Sequence, residues 1–350
     1  MTLADIADQY HDRFQDKYGN RLLPGHHKAL NAIRHCRTPA AGMTLLECND
    51  CQRRDHRPMS CGHRSCNRCQ NTDTSEWLER QRQKLLPVEY FMVTFTLPAQ
   101  LRQLAWQNQT TVYDLLFTEA AETLKTFGHN HKGLNARLGM TGVLHTHSRQ
   151  LNYHPHVHFV VPGGGINTQR RQWRKLKGKY LFNSSNLAKV FRARLLKALD
   201  EAGLLTAKLK KSLPKTWVVN CQHTGKGEPA LKYLSRYLYR GVISDRQIVA
   251  SQNGKVTFTY RNSKSGTTEY RTLQGEDFLW LVLQHVLPKG LRRVRDYGFL
   301  HCRCRKLLRL VQLILQVIIK PATPVIRPKH TCQHCGSDMR AIAFRLMRPT

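Results

Sequence analysis

The chain has 350 residues, enough for two or three domains, and 41% of them are hydrophobic, which excludes a disordered tail. Lysine and arginine number 56 against 23 acidic residues, a formal net charge of +33. The basic excess is spread over the whole length, with dense runs at 170–179 and 292–295. It predicts a nucleic-acid partner, with a ribosome-associated protein or a solvated basic surface as the alternatives.

Neither the start of the chain nor its most apolar run indicates a membrane or an export signal. Residues 1–5 are polar and amphipathic, unlike a secretory leader. The run at 307–319 is interrupted by Arg309 and two glutamines. It is also too short to span a bilayer, which takes about 20 residues. We therefore expect a cytoplasmic, nucleoid-associated protein with no membrane partner. In that reducing compartment the 11 cysteines favour metal ligands over disulfides.

Helical and strand patterns alternate irregularly and include hairpins, which favours the α+β class for the central part. Apolar periodicity predicts helices at 2–35 (broken at Pro24-Gly25), 74–86, 110–127, 186–202 and 228–240, with more helices near the C-terminus. Strands are predicted at 90–97, 141–147, 153–161, 217–221 and 242–260, the last with a turn at Asn253-Gly254.

The segment between residues 36 and 70 holds six cysteines with little apolar periodicity, which indicates a small metal-stapled module. Two Cys-x-x-Cys knuckles separated by 14 residues have the spacing of a four-cysteine Zn²⁺ site, formed by Cys48, Cys51, Cys66 and Cys69. Four more side chains nearby could form a second zinc site: Cys36, His56, Cys61 and His63.

A third cysteine pair lies near the C-terminus, where Cys332-x-x-Cys335 has the form of half a zinc ribbon. Two sets of side chains could complete it, either Cys302 and Cys304 or His301 and His330. A tail without metal is the alternative.

The strand predicted at 153–161 carries histidines in alternation. Side chains alternate between faces along a strand, so His154, His156 and His158 share one face. The strand before it presents His145 and His147 on a face that could lie beside this one. The other face of the histidine strand is apolar and is expected to lie in the core: Val157, Phe159 and Val161.

Imidazoles on two rigid strands predict a metal site, with surface histidines on an exposed sheet as the alternative interpretation. A cluster of histidines can hold Zn²⁺. A phosphoryl-transfer site would instead use Mg²⁺ or Mn²⁺ with few protein ligands and open positions. The pattern alone does not decide between these ions.

The helix predicted at 228–240 carries Tyr233 and Tyr237, which are four residues apart and therefore lie on one face. Arg236 and Arg240 lie on an adjoining face, where they could hold DNA phosphates. A tyrosine can attack phosphorus and form a covalent link, although its pKa of about 10 requires a nearby cation or base. Simple packing is the other interpretation of tyrosines at helical spacing.

These motifs carry a family resemblance. His156-Val157-His158 matches the histidine–hydrophobe–histidine motif of HUH endonucleases, and Tyr233-Leu-Ser-Arg-Tyr237 matches the Y-x-x-x-Y element of their two-tyrosine branch. The chain as a whole resembles the rolling-circle transposases of bacterial insertion sequences, of the insertion-sequence "ninety-one" and common-region kind. The similar phrases follow the family's order along nearly the whole chain, at 36–38, 66–70, 143–164, 285–290 and 295–300.

The resemblance implies that His156 and His158 bind a divalent ion, Mg²⁺ or Mn²⁺, which polarises the scissile phosphate. HUH domains usually add a third polar ligand. We expect this ligand to be His145, because it lies on the matching face of the neighbouring strand, with His154 and Gln150 as the alternatives.

The resemblance also implies that Tyr233 and Tyr237 are the paired nucleophiles. One would cleave donor DNA at an element end and keep its 5′ phosphate, and the other would take the second strand transfer. The expected partners are therefore DNA element ends and single-stranded donor and target DNA, with no small-molecule substrate.

The implied architecture is an antiparallel-sheet HUH domain of the ferredoxin-like or RRM-like α+β kind. We expect an N-terminal helical, zinc-binding DNA-recognition domain at 1–85, a catalytic domain at 86–272 and a helical, basic C-terminal region at 273–350. Two other functions share some of these features. A plasmid replication initiator or relaxase would share the chemistry, and a non-enzymatic zinc-dependent DNA-binding regulator would need only the cysteines and the basic surface.

Overall fold

The computed structural model describes residues 1–69, 71–130, 134–176, 178–229, 231–232, 241–262, 265–319, 321, 323–325 and 329–345, with only the backbone of residues 71 and 72. Helices within these ranges include α1 (Leu3–Gln9), α2 (His11–Tyr18), α3 (Pro24–His35), α4 (Asn71–Arg82), α5 (Arg102–Gln107), α6 (Gln109–Asn130), α7 (Ser184–Glu201), α8 (Ala207–Ser212), α9 (Gly275–Leu283) and α10 (Arg305–Ile314).

The strands form four sheets, whose neighbouring strands are antiparallel. The strands are β1 (Met43–Cys48), β2 (Arg54–Pro58), β3 (Glu89–Thr96), β4 (Gly139–His147), β5 (Tyr153–Pro162), β6 (Gly164–Asn167), β7 (Gln172–Lys175), β8 (Val219–Lys226), β9 (Ile248–Gln252), β10 (Lys255–Arg261), β11 (Thr268–Gln274), β12 (Val294–Gly298), β13 (His330–Thr331) and β14 (Asp338–Arg345). This mixture of helices and antiparallel sheets confirms the predicted α+β class.

The central sheet has five strands in the order β12-β4-β5-β3-β8. The predicted hairpin of β4 and β5 is confirmed, and its register sets His145 opposite His156. The predicted turn at Asn253-Gly254 is confirmed as well. It joins β9 to β10 with φ of 50° and 75°, and a two-residue hairpin turn of this kind needs positive φ at both positions.

One face of the central sheet is covered by α5, α6 and α7. The apolar side chains of β5 point to this face, as the alternation predicted, and Phe159 is completely buried there with Phe117 of α6 and Phe191 of α7. The opposite face is divided. At one end Val143 and Val160 pack with Trp77 and Val311 in a separate apolar cluster, and at the other end lie the histidines.

A second large core joins segments that are distant along the chain. Phe14 and Ile33 from the N-terminal helices pack with Phe258 of β10 and Phe278 of α9. Leu151, in the connection between β4 and β5, is buried in the same core. The N-terminal helices therefore lie next to the turn that connects the two histidine strands.

The C-terminal part was expected to be helical, and it contains α9 and α10, but it also contributes strands. β12 joins the central sheet as an edge strand beside β4, and β14 pairs with β1 in a four-stranded sheet of order β13-β14-β1-β2. These strands are short or mostly exposed, so they lack the apolar alternation that marks a half-buried strand. Among the described helices, none has the length and hydrophobicity that a bilayer crossing requires.

We expect Phe159→Ala to lower the free energy of unfolding by about 3–5 kcal/mol, because it removes a completely buried ring from beneath α6 and α7. Phe344→Ala is the control, since 65% of Phe344 is exposed on β14 and a surface change of this kind alters stability by about 0.5 kcal/mol. Urea unfolding of both variants checks this, and equal losses would contradict the described core.

Candidate active site and metal centres

Three histidines converge on the open end of the central sheet. His145 lies opposite His156 across the β4–β5 ladder, and His158 follows two residues later on the same face of β5. The ring centroids of His145 and His158 are 4.5 Å apart, and those of His156 and His158 are 4.8 Å apart. One ring nitrogen from each of the three lies within 4.8 Å of the others, so a single ion can contact all three after small side-chain rotations.

Hydrogen bonds orient two of these rings. His156 Nδ1 donates to the carbonyl oxygen of His154 at 2.6 Å, so Nδ1 carries the proton and the lone pair of Nε2 is available to an ion. His158 Nδ1 lies 2.8 Å from Thr94 Oγ1, on the strand that flanks β5 on its other side. Such outer partners fix the tautomer and the ring plane of a metal-binding histidine.

The electrostatics of the cluster favour neutral imidazoles. Burial lowers the pKa of His156 to about 4 and, with the neighbouring His156, that of His158 to about 3. Burial also holds the pKa of His145 well below its usual value, and the nearby His158 and His156 add to this effect. A metal ion binds the unprotonated ring, so these histidines are ready for an ion at neutral pH.

The histidines line a cleft of about 630 Å³. Its walls come from the β4–β5 hairpin with Arg149, from β10 with Arg261, and from the cysteine-rich segment with Asn67. Asn67 Nδ2 donates to Asp245 Oδ1 at 2.6 Å, which ties that segment to the residues just before β9. The cleft therefore combines a convergent donor set with basic walls, which suits a phosphate-containing ligand.

The predicted nucleophiles Tyr233 and Tyr237, and the predicted phosphate contacts Arg236 and Arg240, lie outside the described residues. Their neighbours in the sequence are described. Leu231 is buried on the histidine side of the central sheet in the cluster with Val143 and Val160. Gly241 lines the cleft and lies so near the cysteine-rich segment that a Cβ there would be 3.0 Å from Asn67 Cα.

The two alternatives for a third ligand have other partners. Arg102 donates to His154 Nδ1 at 2.8 Å. Gln150 is exposed, and its Nε2 donates to the hydroxyl of Tyr260 at 3.0 Å. The structure groups His145, not His154, with His156 and His158; ion binding by this group stays a prediction.

The cysteines group differently from the sequence expectation. Cys48 and Cys51 do not meet Cys66 and Cys69. The first of the two described groups is Cys36, Cys61, Cys66 and Cys69, and the second is Cys48, Cys51, Cys332 and Cys335.

The pairing of β1 with β14 causes this grouping. It places Cys48 opposite Met339 and carries the C-terminal knuckle to the N-terminal one. His56 is exposed on β2, and His63 Nδ1 accepts from the backbone N–H of Ser65, so neither completes a group. The side chains proposed to complete the C-terminal pair, Cys302, Cys304, His301 and His330, lie outside both described groups.

Both cysteine groups have the donor chemistry of structural zinc sites. Zn²⁺ bound by four thiolates at about 2.3 Å places neighbouring sulfurs about 3.8 Å apart. In the first group Cys69 Sγ lies 3.5 Å from Cys36 Sγ and 3.6 Å from Cys61 Sγ. The sulfur positions therefore fit a tetrahedral Zn²⁺ site without rearrangement of the backbone.

Comparison with known proteins connects this geometry to a family. A family model described as "Putative transposase" matches residues 139–307, and the IS91 model described as "Transposase zinc-binding domain" matches residues 6–97. The chain is 34% identical over 324 residues to "Putative transposase y4qJ" of Sinorhizobium fredii, covering 87% of this chain and 81% of the relative. It is 30% identical over 311 residues to "Transposase for insertion sequence element IS801" of Pseudomonas savastanoi, covering 84% and 74%.

The chain belongs to the IS91 family of transposases. It is thus a transposase, and DNA is its partner. This favours the transposase over the replication initiator and the regulator considered from the sequence. No solved structure matches the chain.

A second group of side chains beside the cleft of this transposase, His147, His285 and Arg293, was not expected from the sequence as a group; burial keeps the pKa of both histidines low, so only Arg293 is a cation. The ring centroids of His147 and His285 are 5.2 Å apart, and His285 Nε2 donates to the carbonyl oxygen of Leu151. Arg293 Nε donates to the carbonyl oxygen of Leu144, and burial lowers the Arg293 pKa only to about 10, so it stays charged. The sequence placed His147 on the histidine face, Arg293 in a basic run and His285 in the phrase at 285–290, but no pattern predicted that the three side chains lie together.

The lowered histidine pKa values predict a loss of stability in acid. The unfolded chain takes up histidine protons near pH 6.5, but folded His156 and His158 do so only near pH 4 and 3. The two neutral rings therefore contribute their full stabilisation of the folded state above pH 6.5. That contribution declines as the pH falls from 6.5 towards the folded pKa values of about 4 and 3. Between pH 7 and 5.5 we expect the pair to account for a loss of about 2–3 kcal/mol.

Urea unfolding at pH 7 and 5.5, without added Mg²⁺ or Mn²⁺, measures this loss. The double variant His156→Gln/His158→Gln should lose less than the wild type. The control is His27→Gln, a change at an exposed histidine of α3 outside the cluster, which should lose as much as the wild type. An identical pH dependence in the wild type and the double variant would contradict burial of neutral rings.

Proposed function

We propose that this transposase is a two-tyrosine HUH enzyme that cleaves and rejoins single-stranded DNA by a rolling-circle mechanism. The observation that carries the proposal is the convergence of His145, His156 and His158 in a basic cleft whose wall includes Gly241. Gly241 directly follows the segment that holds both tyrosines. Four residues span at most about 14 Å, so Tyr237 is within reach of this wall.

The three histidines would hold the catalytic divalent ion, Mg²⁺ or Mn²⁺. The fit rests on their neutral rings, on the hydrogen bonds that orient two of them and on their mutual distances. The ion would supply Lewis-acid polarisation of the scissile phosphate. Imidazole nitrogen is a poorer ligand for Mg²⁺ than oxygen is, so this donor set favours Mn²⁺.

Tyr233 and Tyr237 would be the nucleophiles. In cleavage a tyrosine oxygen forms a bond to phosphorus, the bond from phosphorus to the 3′ oxygen breaks, and the phenol proton is lost to water while the leaving 3′ oxygen gains one. The resulting 5′-phosphotyrosine link conserves the bond energy. In rejoining, a 3′ hydroxyl attacks that phosphorus and the tyrosine oxygen leaves.

The protein's cations would hold the DNA strand across the cleft. Arg149 and Arg261 line it, half-buried Arg293 donates to the Leu144 carbonyl of β4, and Arg236 and Arg240 would add phosphate contacts beside the tyrosines. The net charge of +33 provides attraction for a polyanion over a longer range. Binding should weaken as salt is added, because each neutralised phosphate releases counterions.

The metal role predicts that nicking of single-stranded DNA bearing element ends requires Mg²⁺ or Mn²⁺, with Mn²⁺ effective at a lower concentration. His156→Ala and His158→Ala should each slow nicking by more than about 100-fold, since even outer partners of metal ligands are worth about 10–100-fold. His223→Ala is the matched control, a histidine of the same sheet outside the cluster, and should nick at the wild-type rate. Undiminished nicking by both cluster variants would exclude this metal site.

The nucleophile role predicts a covalent protein–DNA adduct with a 5′ phosphate, detected by denaturing gel and mass spectrometry. Tyr233→Phe/Tyr237→Phe should form none while still binding the DNA, because phenylalanine keeps the ring and removes only the attacking oxygen. Tyr239→Phe, in the same segment, should form the adduct normally. An adduct that persists in the double variant would contradict the assignment of Tyr233 and Tyr237 as the nucleophiles.

A further inference from the structure

The second cysteine group joins the two ends of the chain. Cys48 and Cys335 sulfurs are 3.4 Å apart, Cys51 and Cys332 sulfurs are 3.7 Å apart, and Cys51 and Cys335 sulfurs are 3.5 Å apart. All four sulfurs lie within 4.8 Å of one another. A disulfide would need about 2.05 Å, whereas four thiolates around Zn²⁺ need about 3.8 Å.

The backbone presents the two cysteine pairs in the same way. The N–H of Cys48 donates to the carbonyl of Arg53, and the N–H of Cys332 donates to that of Ser337, in each case five residues on. The residue after each second cysteine is left-handed, with φ of 56° at Gln52 and 76° at Gly336. Two equivalent knuckles thus face each other, as in a zinc ribbon that is assembled from distant halves.

The strands around this group form a sheet with little core of its own. In β14 Phe344 is 65% exposed and Ile342 is 39% exposed. Cys332 and Cys48 are among the few buried side chains of this four-stranded sheet and its two knuckles. A small sheet with so little buried apolar surface needs another source of stability, and a structural metal is one that proteins use.

We propose that Cys48, Cys51, Cys332 and Cys335 bind one Zn²⁺, which clasps the C-terminal tail to the N-terminal cysteine module. The zinc-binding family model ends at residue 97, so half of this ligand set lies outside it. Cys51 and Cys332 are 281 positions apart, and a metal that closes so long a loop restricts the unfolded chain strongly. The tail is then a required part of the N-terminal module, and the chain binds two structural zinc ions.

Zinc content of the purified full-length chain, measured by mass spectrometry of the metal, tests the clasp. The wild type should hold two Zn²⁺ per chain. Cys48→Ser/Cys51→Ser, Cys332→Ser/Cys335→Ser and the quadruple variant should each hold one, because all three disrupt the same site. Cys302→Ser/Cys304→Ser is the matched control, a cysteine pair outside both groups, and should hold two.

The proposal would be overturned if the quadruple variant held less zinc than either pair variant. Such additive losses of zinc would mean that the two cysteine pairs belong to separate sites. An unchanged content in Cys332→Ser/Cys335→Ser would overturn it as well. Cobalt substitution checks the fold of each variant, since the sulfur-to-cobalt absorption of the group with Cys66 should persist.

Alkylation of the cysteines in the wild-type chain tests the same zinc site without a substitution. Cys51, Cys335 and Cys302 are all exposed, so burial alone protects none of them. In the zinc-loaded chain, Cys51 and Cys335 should resist iodoacetamide and become reactive together on chelation, whereas Cys302 should react throughout. Reaction of Cys335 at the rate of Cys302 before chelation would contradict the clasp.

Discussion

The register of β4 on β5 is the constraint on which the rest of the site depends. It places His145 opposite His156, and because strand side chains alternate, a slip by one residue would turn the histidines into the core. The core itself prevents that slip. Phe159 is completely buried against α6 and α7, and Gly142 opposite it leaves no room for a side chain, since a Cβ would lie 2.7 Å from the Phe159 ring. Packing on the apolar face of the hairpin thus fixes the register that positions the histidines on the polar face.

The surroundings of the histidines are assembled from distant parts of the chain. The second core brings the N-terminal helices and α9 to Leu151, at the turn of the histidine hairpin. The first cysteine group belongs to that core through Cys66 and Cys69, and Asn67 between them lines the cleft and contacts Gly241. A metal held by this group would fix Asn67 in the wall. In the proposed mechanism, one short loop would then link zinc binding to DNA cleavage.

The features that could be predicted from the sequence are those encoded by local periodicity. Alternation along β5 predicted which side chains share the histidine face, and the Asn253-Gly254 pair predicted a turn. The partner of Cys48 could not be predicted, because spacing along the chain does not encode the pairing of β1 with β14. The same reason explains β12, a short polar edge strand, and His285, which meets His147 only through tertiary packing.

The central claim is that the ion held by the histidines and the tyrosine oxygens share one site. Fluorine NMR of the chain labelled with fluorotyrosine at its 12 tyrosines tests it most directly, with Tyr233→Phe and Tyr237→Phe used to assign the two resonances. Mn²⁺ is paramagnetic and broadens nearby nuclei, and Mg²⁺ is the diamagnetic reference. The account predicts that one equivalent of Mn²⁺ broadens both assigned resonances, and that His156→Ala/His158→Ala abolishes the effect. Sharp resonances for both tyrosines beside bound Mn²⁺ would contradict it.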